Sequence, residues 1–285
     1  MPDNAGYHAL CVAMVILDLV ARSWRIGIVL RALGSPITAS ASFTTTIFGD
    51  AVAALTPWRI GGEPARVFGA AQGGASATTA VIGLAIESLV TYAVLAVIGI
   101  ALAVAFGAEW ASLIHGSASW ATVPQALAVA AIVVVIGAIV VHRLPPHIVQ
   151  RARRFLADGA ARLRRLRPRD IAMMSVLSAV SLLARIAILP IVVEAFGERA
   201  PIGPVSLASF ALLNGQLLVP TPSGAGAVEL AAAAGVIGTH DRTAAIVATW
   251  RLYVTVIPIV AGLLAAAISY GPRAVMTVFK RREVP

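Results

Sequence analysis

The sequence predicts an all-α integral membrane protein, an inverted structural repeat with two re-entrant helical hairpins and about five full spans. Three features predict it: an extreme apolar composition, arginines gathered at the ends of apolar runs, and a repeat relating the two halves of the chain. Hydrophobic residues make up 59% of 285 residues and charged residues only 12%, and the mean hydropathy is +0.89. A soluble domain carries about 25% charged residues, so too little polar surface remains for a water-soluble monomer. The motifs recur along the whole chain, which reads as one membrane domain over 1–285. Its parts are repeat one at about 7–106, a connecting helix at 122–141, a cytoplasmic basic segment at 142–169 and repeat two at about 171–270.

Continuous apolar stretches lie at about 7–31, 37–56, 77–106, 122–141, 171–196, 204–219 and 242–270, with shorter pieces at 64–72 and 227–238. A spanning helix needs about 20 apolar residues. The stretches 7–31, 77–106, 122–141, 171–196 and 242–270 satisfy that requirement, and the short pieces do not. The first four residues lack the basic start of a secretory signal, so the first run is expected to be retained. A lone cysteine, Cys11, excludes an internal disulfide and leaves the redox compartment open.

The net charge of +9 comes almost wholly from arginine. Its placement follows the positive-inside pattern, which argues against nucleic acid as a partner. Segment 142–169 contains nine arginines interleaved with Phe155, Leu156, Leu163 and Leu166. It is expected to lie on an anionic lipid surface at the cytoplasmic side. The tail with Arg273, Lys280, Arg281 and Arg282 belongs on the same side, giving a multi-pass plasma (inner) membrane protein with a cytoplasmic C-terminus. The loop 107–121 holds Glu109 and His115 but no Lys or Arg, which puts it outside. Arg31 and the neighbouring Arg25 put the end of 7–31 inside. Parity then requires 33–76 to begin and finish inside, as a hairpin broken at Pro57-Trp58-Arg59-Ile60-Gly61-Gly62. By the same reasoning 198–241 is a hairpin entered from outside and broken at Pro220-Thr221-Pro222-Ser223-Gly224. Non-helical backbone at membrane depth is tolerated only inside protein or beside a polar cavity.

The halves match at an offset of 163, as in Arg22 and Arg185. Ala21-Arg22 recurs as Ala184-Arg185, and Ala32-Leu33-Gly34 as Ala195-Phe196-Gly197. Pro57 matches Pro220, and Gly61 matches Gly224. Helix 7–31 runs inward and 171–196 outward, with 122–141 as the connector that inverts the second copy. Inverted repeats whose broken helices meet near the midplane are characteristic of secondary transporters.

Charges inside the apolar stretches are Asp18, Arg22, Arg66, Glu87, Arg185, Glu229 and Arg251. Each costs about 2.5–3.5 kcal/mol at the bilayer centre and so needs a partner or water. Arg66 aligns with Glu229, and Glu87 with Arg251 after a one-residue shift. Two readings follow: Arg66–Glu87 and Glu229–Arg251 are structural ion pairs, or the arginines receive an anionic head group. Arg22 and Arg185 belong to the same candidate set, although an arginine near a helix end can snorkel. Gly61-Gly62 and Gly224-Ala225-Gly226 permit close approach and positive φ. Each hairpin tip opens a short helix whose N–H groups attract anions, and Pro57 and Pro220 terminate the preceding helices. The candidate binding set is therefore Arg22, Arg66, Glu87, Arg185, Glu229, Arg251, Pro57, Gly61, Pro220 and Gly224.

No enzyme signature is found. The histidines at 8, 115, 142, 147 and 240 lack metal-ligand spacing, and there is no nucleophile elbow or phosphate-binding loop. No catalytic residue, metal or cofactor is expected.

Ala54-Leu55-Thr56-Pro57 with Gly61-Gly62-Glu63-Pro64-Ala65-Arg66 is similar to an "LP-x-R-x-GE-x-x-R" segment, with Glu87 as the acid of the next helix. Leu218 to Glu229 resembles a "P-T-P-G-G-x-G-x-x-E" segment, followed by an arginine at Arg251. Both segments belong to the flippase-like family typified by the membrane domain of lysylphosphatidylglycerol synthase, and the resemblance covers roughly 10–270. The sequence departs at Ser223, which replaces a glycine, and at Pro64. The resemblance implies translocation of a lipid with an anionic or sugar-bearing head group. The resemblance covers the synthase's membrane domain and not its soluble aminoacyl-transferase domain, so lipid aminoacylation is not expected. Alternatives from other classes are a membrane enzyme acting on lipid head groups and a scaffold for a lipid-synthesising enzyme.

Overall fold

A computed structural model describes residues 4–114, 150, 157, 159, 161–164, 166–198, 201–233, 235–237 and 242–271. The described elements are all helical: α1 (Asn4–Ala32), α2 (Ala39–Leu55), α3 (Gly62–Gln72), α4 (Ala77–Ile114), α5 (Pro168–Ala195), α6 (Ile202–Gly215), α7 (Ala227–Ala233), α8 (Thr243–Arg251) and α9 (Ile257–Tyr270). Helical runs Ala77–Ser112, Pro168–Ala195 and Thr243–Tyr270 are long and apolar enough to cross a membrane. The fourth expected span, α1, has the length but carries Asp18, Arg22 and Arg25 turned inward and buried. The expected connector 122–141, most of the basic segment 142–169 and the basic tail fall outside the described residues.

The breaks fall where backbone chemistry requires them. Thr38 caps α2 by accepting from the Ala41 N–H at 3.1 Å. Helix α3 doubles back along α2, with Gly62, Gly69 and Gly73 approaching Ala53, Thr45 and Ala41 in turn. Small residues let the two backbones come together, as in membrane helix pairs. Helix α7 likewise returns beside the end of α6, sharing an apolar cleft with Ala211, Leu212 and Gly215.

Two boundaries differ from expectation. Residues 107–114, expected as an outer loop, continue α4. Nothing in that stretch removes an N–H, and Trp110 Nε1 secures the extension by donating to Val236 O at 2.9 Å. The expected single run 242–270 is interrupted by a π-helical segment, Leu252–Val256. Pro258 has no N–H for the Val254 carbonyl. The ladder widens just before it, and the Ile257 N–H reaches back to Leu252 O.

Helices α1 and α5 pack antiparallel. Asp18 accepts from Ser181 at 2.6 Å, and Arg25, further along α1, donates to Ser178, earlier on α5, at 2.7 Å. Both helices end in one C-terminal turn. Gly34 (φ 77) and Gly197 (φ 74) take the left-handed position, while Ser35 N–H bonds Leu30 O and Glu198 N–H bonds Val193 O. The matched Ala32-Leu33-Gly34 and Ala195-Phe196-Gly197 are thus the same cap.

An apolar core joins Cys11, Val15 and Leu19 of α1 to Ile188, Leu189 and Val192 of α5 and to Trp250 of α8. A second core packs Ile26, Val29 and Leu30 against Leu84, Ile86 and Met174. Helix α9 meets α2 at Gly262, where a Cβ would lie 2.7 Å from Ala51 Cβ and closer still to the Ile47 carbonyl. Gly262→Val should therefore destabilise the protein by about 1–3 kcal/mol through overpacking. Gly107→Ala, where a Cβ meets nothing within 4 Å, should melt at or above the wild-type temperature. Equal melting of the two variants by thermal denaturation in detergent would refute this account of the α2–α9 contact.

Candidate functional site: a buried chain of charges between two hairpin tips

Helix periodicity sets the centre of the site. Asp18 and Arg22 are one turn apart on α1 and pair at 2.7 Å. The other arm of the Arg22 guanidinium meets Asp50 of α2 at 2.5 Å. Asp50 also pairs with Arg66 of α3 at 3.2 Å. Arg66 then reaches Glu63 at 3.2 Å and Glu87 of α4 at 4.0 Å. The nearer partner of Glu87 is Arg25, one turn beyond Arg22. At the other end Arg185 of α5 lies 4.0 Å from Asp18. The result is a chain alternating in sign, Arg185–Asp18–Arg22–Asp50–Arg66–Glu87–Arg25, drawn from α1 to α5. Desolvating such charges costs several kcal/mol each unless each meets opposite charge and further hydrogen bonds. Alternation gives every interior member opposite charge on both sides. Gly49 makes the room: a Cβ there would press on the stem of Arg66.

The tips complete the site. Thr56 (φ −107, ψ 143) and Thr221 (φ −112, ψ 148) each lead into a single tight turn. In these turns Trp58 (φ 48) and Arg59 (φ 59) correspond to Ser223 (φ 51) and Gly224 (φ 64). The hydrogen bonds agree too: Arg59 N–H to Thr56 O and Gly224 N–H to Thr221 O are both 3.1 Å. Pro57 therefore corresponds to Pro222, not Pro220, and Gly224 to Arg59, not Gly61. Pro220 is exposed and precedes the turn. Gly61 has ordinary helical φ, and its N–H donates to Thr56 Oγ1 at 3.0 Å. Left-handed backbone costs a non-glycine residue roughly 1–2 kcal/mol, and strain of this kind clusters at functional sites. The tips touch each other: Ser223, 5% exposed, donates its Oγ–H to Ala54 O at 2.9 Å.

Arg251 holds the second tip. Its guanidinium donates to Ser223 O at 3.2 Å and Gly224 O at 3.1 Å, and pairs with Glu229. Glu229 accepts from the Gly226 N–H at 2.8 Å, opening α7. Beside the first tip a small chamber is lined by Asp18, Arg22, Asp50, Arg59, Arg185 and Tyr253, with room for about one water molecule. Tyr253 is fixed by His8 Nδ1 at 2.8 Å.

Of the residues predicted from sequence, Arg22, Arg66, Glu87 and Arg185 join one chain, while Glu229 and Arg251 form a separate pair at the second tip. The expected Arg66–Glu87 contact is the longest of those made by Arg66. Asp50, Arg25 and Arg59 also belong to the site and are not among the residues expected from sequence. Asp50 carries the same signal as Asp18, a carboxylate inside an apolar run. Arg25 has the sequence position of a cytoplasmic end charge, yet it is 3% exposed. Arg59 has no signal beyond lying in a break.

A family model, lysylphosphatidylglycerol synthase TM region, matches residues 3–262. The chain belongs to this family. Family membership associates it with membrane proteins linked to lipid modification. The matched region includes both tips and every member of the charge chain. No curated protein matches the chain.

Proposed function

We propose that this member of the lysylphosphatidylglycerol synthase TM family moves an anionic or glycosylated lipid between leaflets. The observation that carries the reading is the charge balance of the chamber. Three arginines, Arg22, Arg59 and Arg185, face two aspartates there, Asp18 and Asp50. Arg22 is fully engaged by those acids. Arg59 forms no ion pair among the described residues, and Arg185 has only its 4.0 Å approach to Asp18. A phosphate arriving in the chamber would gain these two guanidinium groups, and each charge-assisted hydrogen bond is worth about 1.5–3 kcal/mol.

An inverted-repeat reading is supported by antiparallel α1 and α5, the shared C-terminal turn and the shared tip turn. The hairpins α2–α3 and α6–α7 are then re-entrant, entering from opposite leaflets and meeting where Ser223 bonds the Ala54 carbonyl beside the chamber. As described, the chamber is too small for a head group, so passage requires the tips to part, with one repeat rocking against the other. The basic segment and the C-terminus belong on the cytoplasmic face of the plasma membrane in this reading.

The test is leaflet exchange in liposomes, using anionic, zwitterionic and glycosylated lipids with reagent-accessible head groups. Folded protein should accelerate exchange of at least one anionic or glycosylated lipid. Arg59→Gln and Arg185→Gln should each slow that exchange about tenfold or more, the rate equivalent of about 1.4 kcal/mol, with melting unchanged. No acceleration across the panel would reject the proposal and favour an enzyme acting on head groups or a scaffold for a lipid-synthesising partner.

A further inference from the structure

A separate amphipathic feature lies away from the charge chain, where the end of α1 meets the starts of α2 and α5. A groove of about 360 Å³ runs between α1 and α2, lined by Val20, Trp24, Ile37 and Phe43 and closed by Arg31. A cleft of about 350 Å³ lies between α1 and α5, lined by Ile28, Arg31, Ala32, Arg167 and Asp170. Arg31 is common to both. The groove is mostly apolar and the cleft mostly polar, so together they make an amphipathic trough with a guanidinium at the junction.

Three observations indicate an occupant. Trp24 is 61% exposed and Phe43 38% exposed on the groove wall, which suits a chain of methylenes and not water. Arg31 and Arg167 form no ion pair among the described residues, and Asp170 is the cleft's single acid, leaving one positive charge unbalanced there. Ser42, 3% exposed, lines the groove with its Oγ unpartnered. That oxygen lies beside Gly27 on the opposite wall, 3.2 Å from where a Cβ would stand. A buried hydroxyl without a partner costs about 1–3 kcal/mol, and a polar group at the glycerol end of an acyl chain would relieve it.

We propose that the trough binds one membrane phospholipid with an anionic head group. Its acyl chain lies along Val20, Trp24 and Phe43, its ester region faces Ser42, and its phosphate sits between Arg31 and Arg167. None of these residues lines the chamber beside the first tip, so the site stands whether or not the chamber carries a transported lipid.

The test uses photoactivatable phosphatidylglycerol and phosphatidylcholine with full-chain protein in nanodiscs, reading cross-linked peptides by mass spectrometry. Phosphatidylglycerol should label residues 20–43 in clear preference to phosphatidylcholine, and millimolar inorganic phosphate should not displace it. Arg31→Gln with Arg167→Gln should weaken that preference about thirtyfold, at roughly fivefold per basic residue at a lipid surface. Ala39→Trp, at an exposed groove-lining position, should fill the groove and reduce labelling by both lipids. It carries the test if the double variant fails to fold. Equal labelling by the two lipids, labelling spread evenly onto the outer faces of α4 and α9, or displacement by inorganic phosphate alone would each overturn the proposal. Leaflet exchange is not the readout, so failure here leaves the translocation reading intact, and the reverse holds.

Discussion

Arg25→Met is expected to lower the melting temperature sharply or prevent folding, and Arg25→Met combined with Glu87→Leu is expected to recover most of the loss. The side chains of Arg25 and Glu87 are 3% and 2% exposed and paired. Removing the arginine leaves Glu87 buried with Arg66 at 4.0 Å and the Thr91 hydroxyl at 3.4 Å. Breaking a buried pair in this way costs about 3–5 kcal/mol, whereas replacing both members by apolar groups of similar volume is often neutral. Arg66 keeps Asp50 and Glu63 in the double variant, so the remainder of the chain survives. The lost Arg25–Ser178 hydrogen bond limits recovery by about 1 kcal/mol. Thermal melting of the single and double variants in one detergent decides the matter. A single variant as stable as wild type, or a double variant no better than the single, would show that the pair does not act as described.

At the second tip the expected effect is on activity. Arg251→Ala removes two hydrogen bonds to the carbonyls of Ser223 and Gly224, beside the left-handed backbone of the turn. At about 1.5 kcal/mol or more for each charged hydrogen bond, the tip loses about 3 kcal/mol of restraint. Exchange should then fall about a hundredfold, taking each 1.36 kcal/mol as a decade of rate. Arg251→Lys should fall between wild type and alanine, since an ammonium can face Glu229 but cannot fork onto two carbonyls. Glu229→Gln should do much less. Its side chain is 49% exposed, an exposed pair is worth about 0–1 kcal/mol, and the amide oxygen can still accept from the Gly226 N–H. Rates measured for the three variants in the liposome assay separate these cases. Equal loss in Glu229→Gln and Arg251→Ala would mean that the ion pair, and not the clasp on the tip, matters.

The helical membrane class, the two breaks and the matched helix ends are legible along the chain. All are local properties. An apolar run of sufficient length has few alternatives to a spanning helix. Pro57 follows the last turn of α2 and marks a tip, and Gly34 and Gly197 take the left-handed position that closes a helix and mark caps. The presence of Arg22, Arg66, Glu87 and Arg185 in apolar surroundings was equally local, and those residues do come together.

Tertiary structure alone decided who pairs with whom. Glu87 meets Arg25 before Arg66 because the rotation of α1 against α4, and the antiparallel seating of α1 on α5, bring Arg25 inward. Nothing along the chain encodes that rotation. Tip register was hidden for a related reason. At the second tip a left-handed position falls on Gly224, as its glycine permits, but the others fall on Trp58, Arg59 and Ser223, residues with no intrinsic liking for that backbone, and Gly61 and Gly62 lie beyond the turn. The strain at those residues is held by contacts distant in sequence, Ser223 to Ala54 and Arg251 to the Ser223 and Gly224 carbonyls. Local composition sets where a membrane helix must begin and end, while the partner of a buried charge follows from how the finished helices lean on one another.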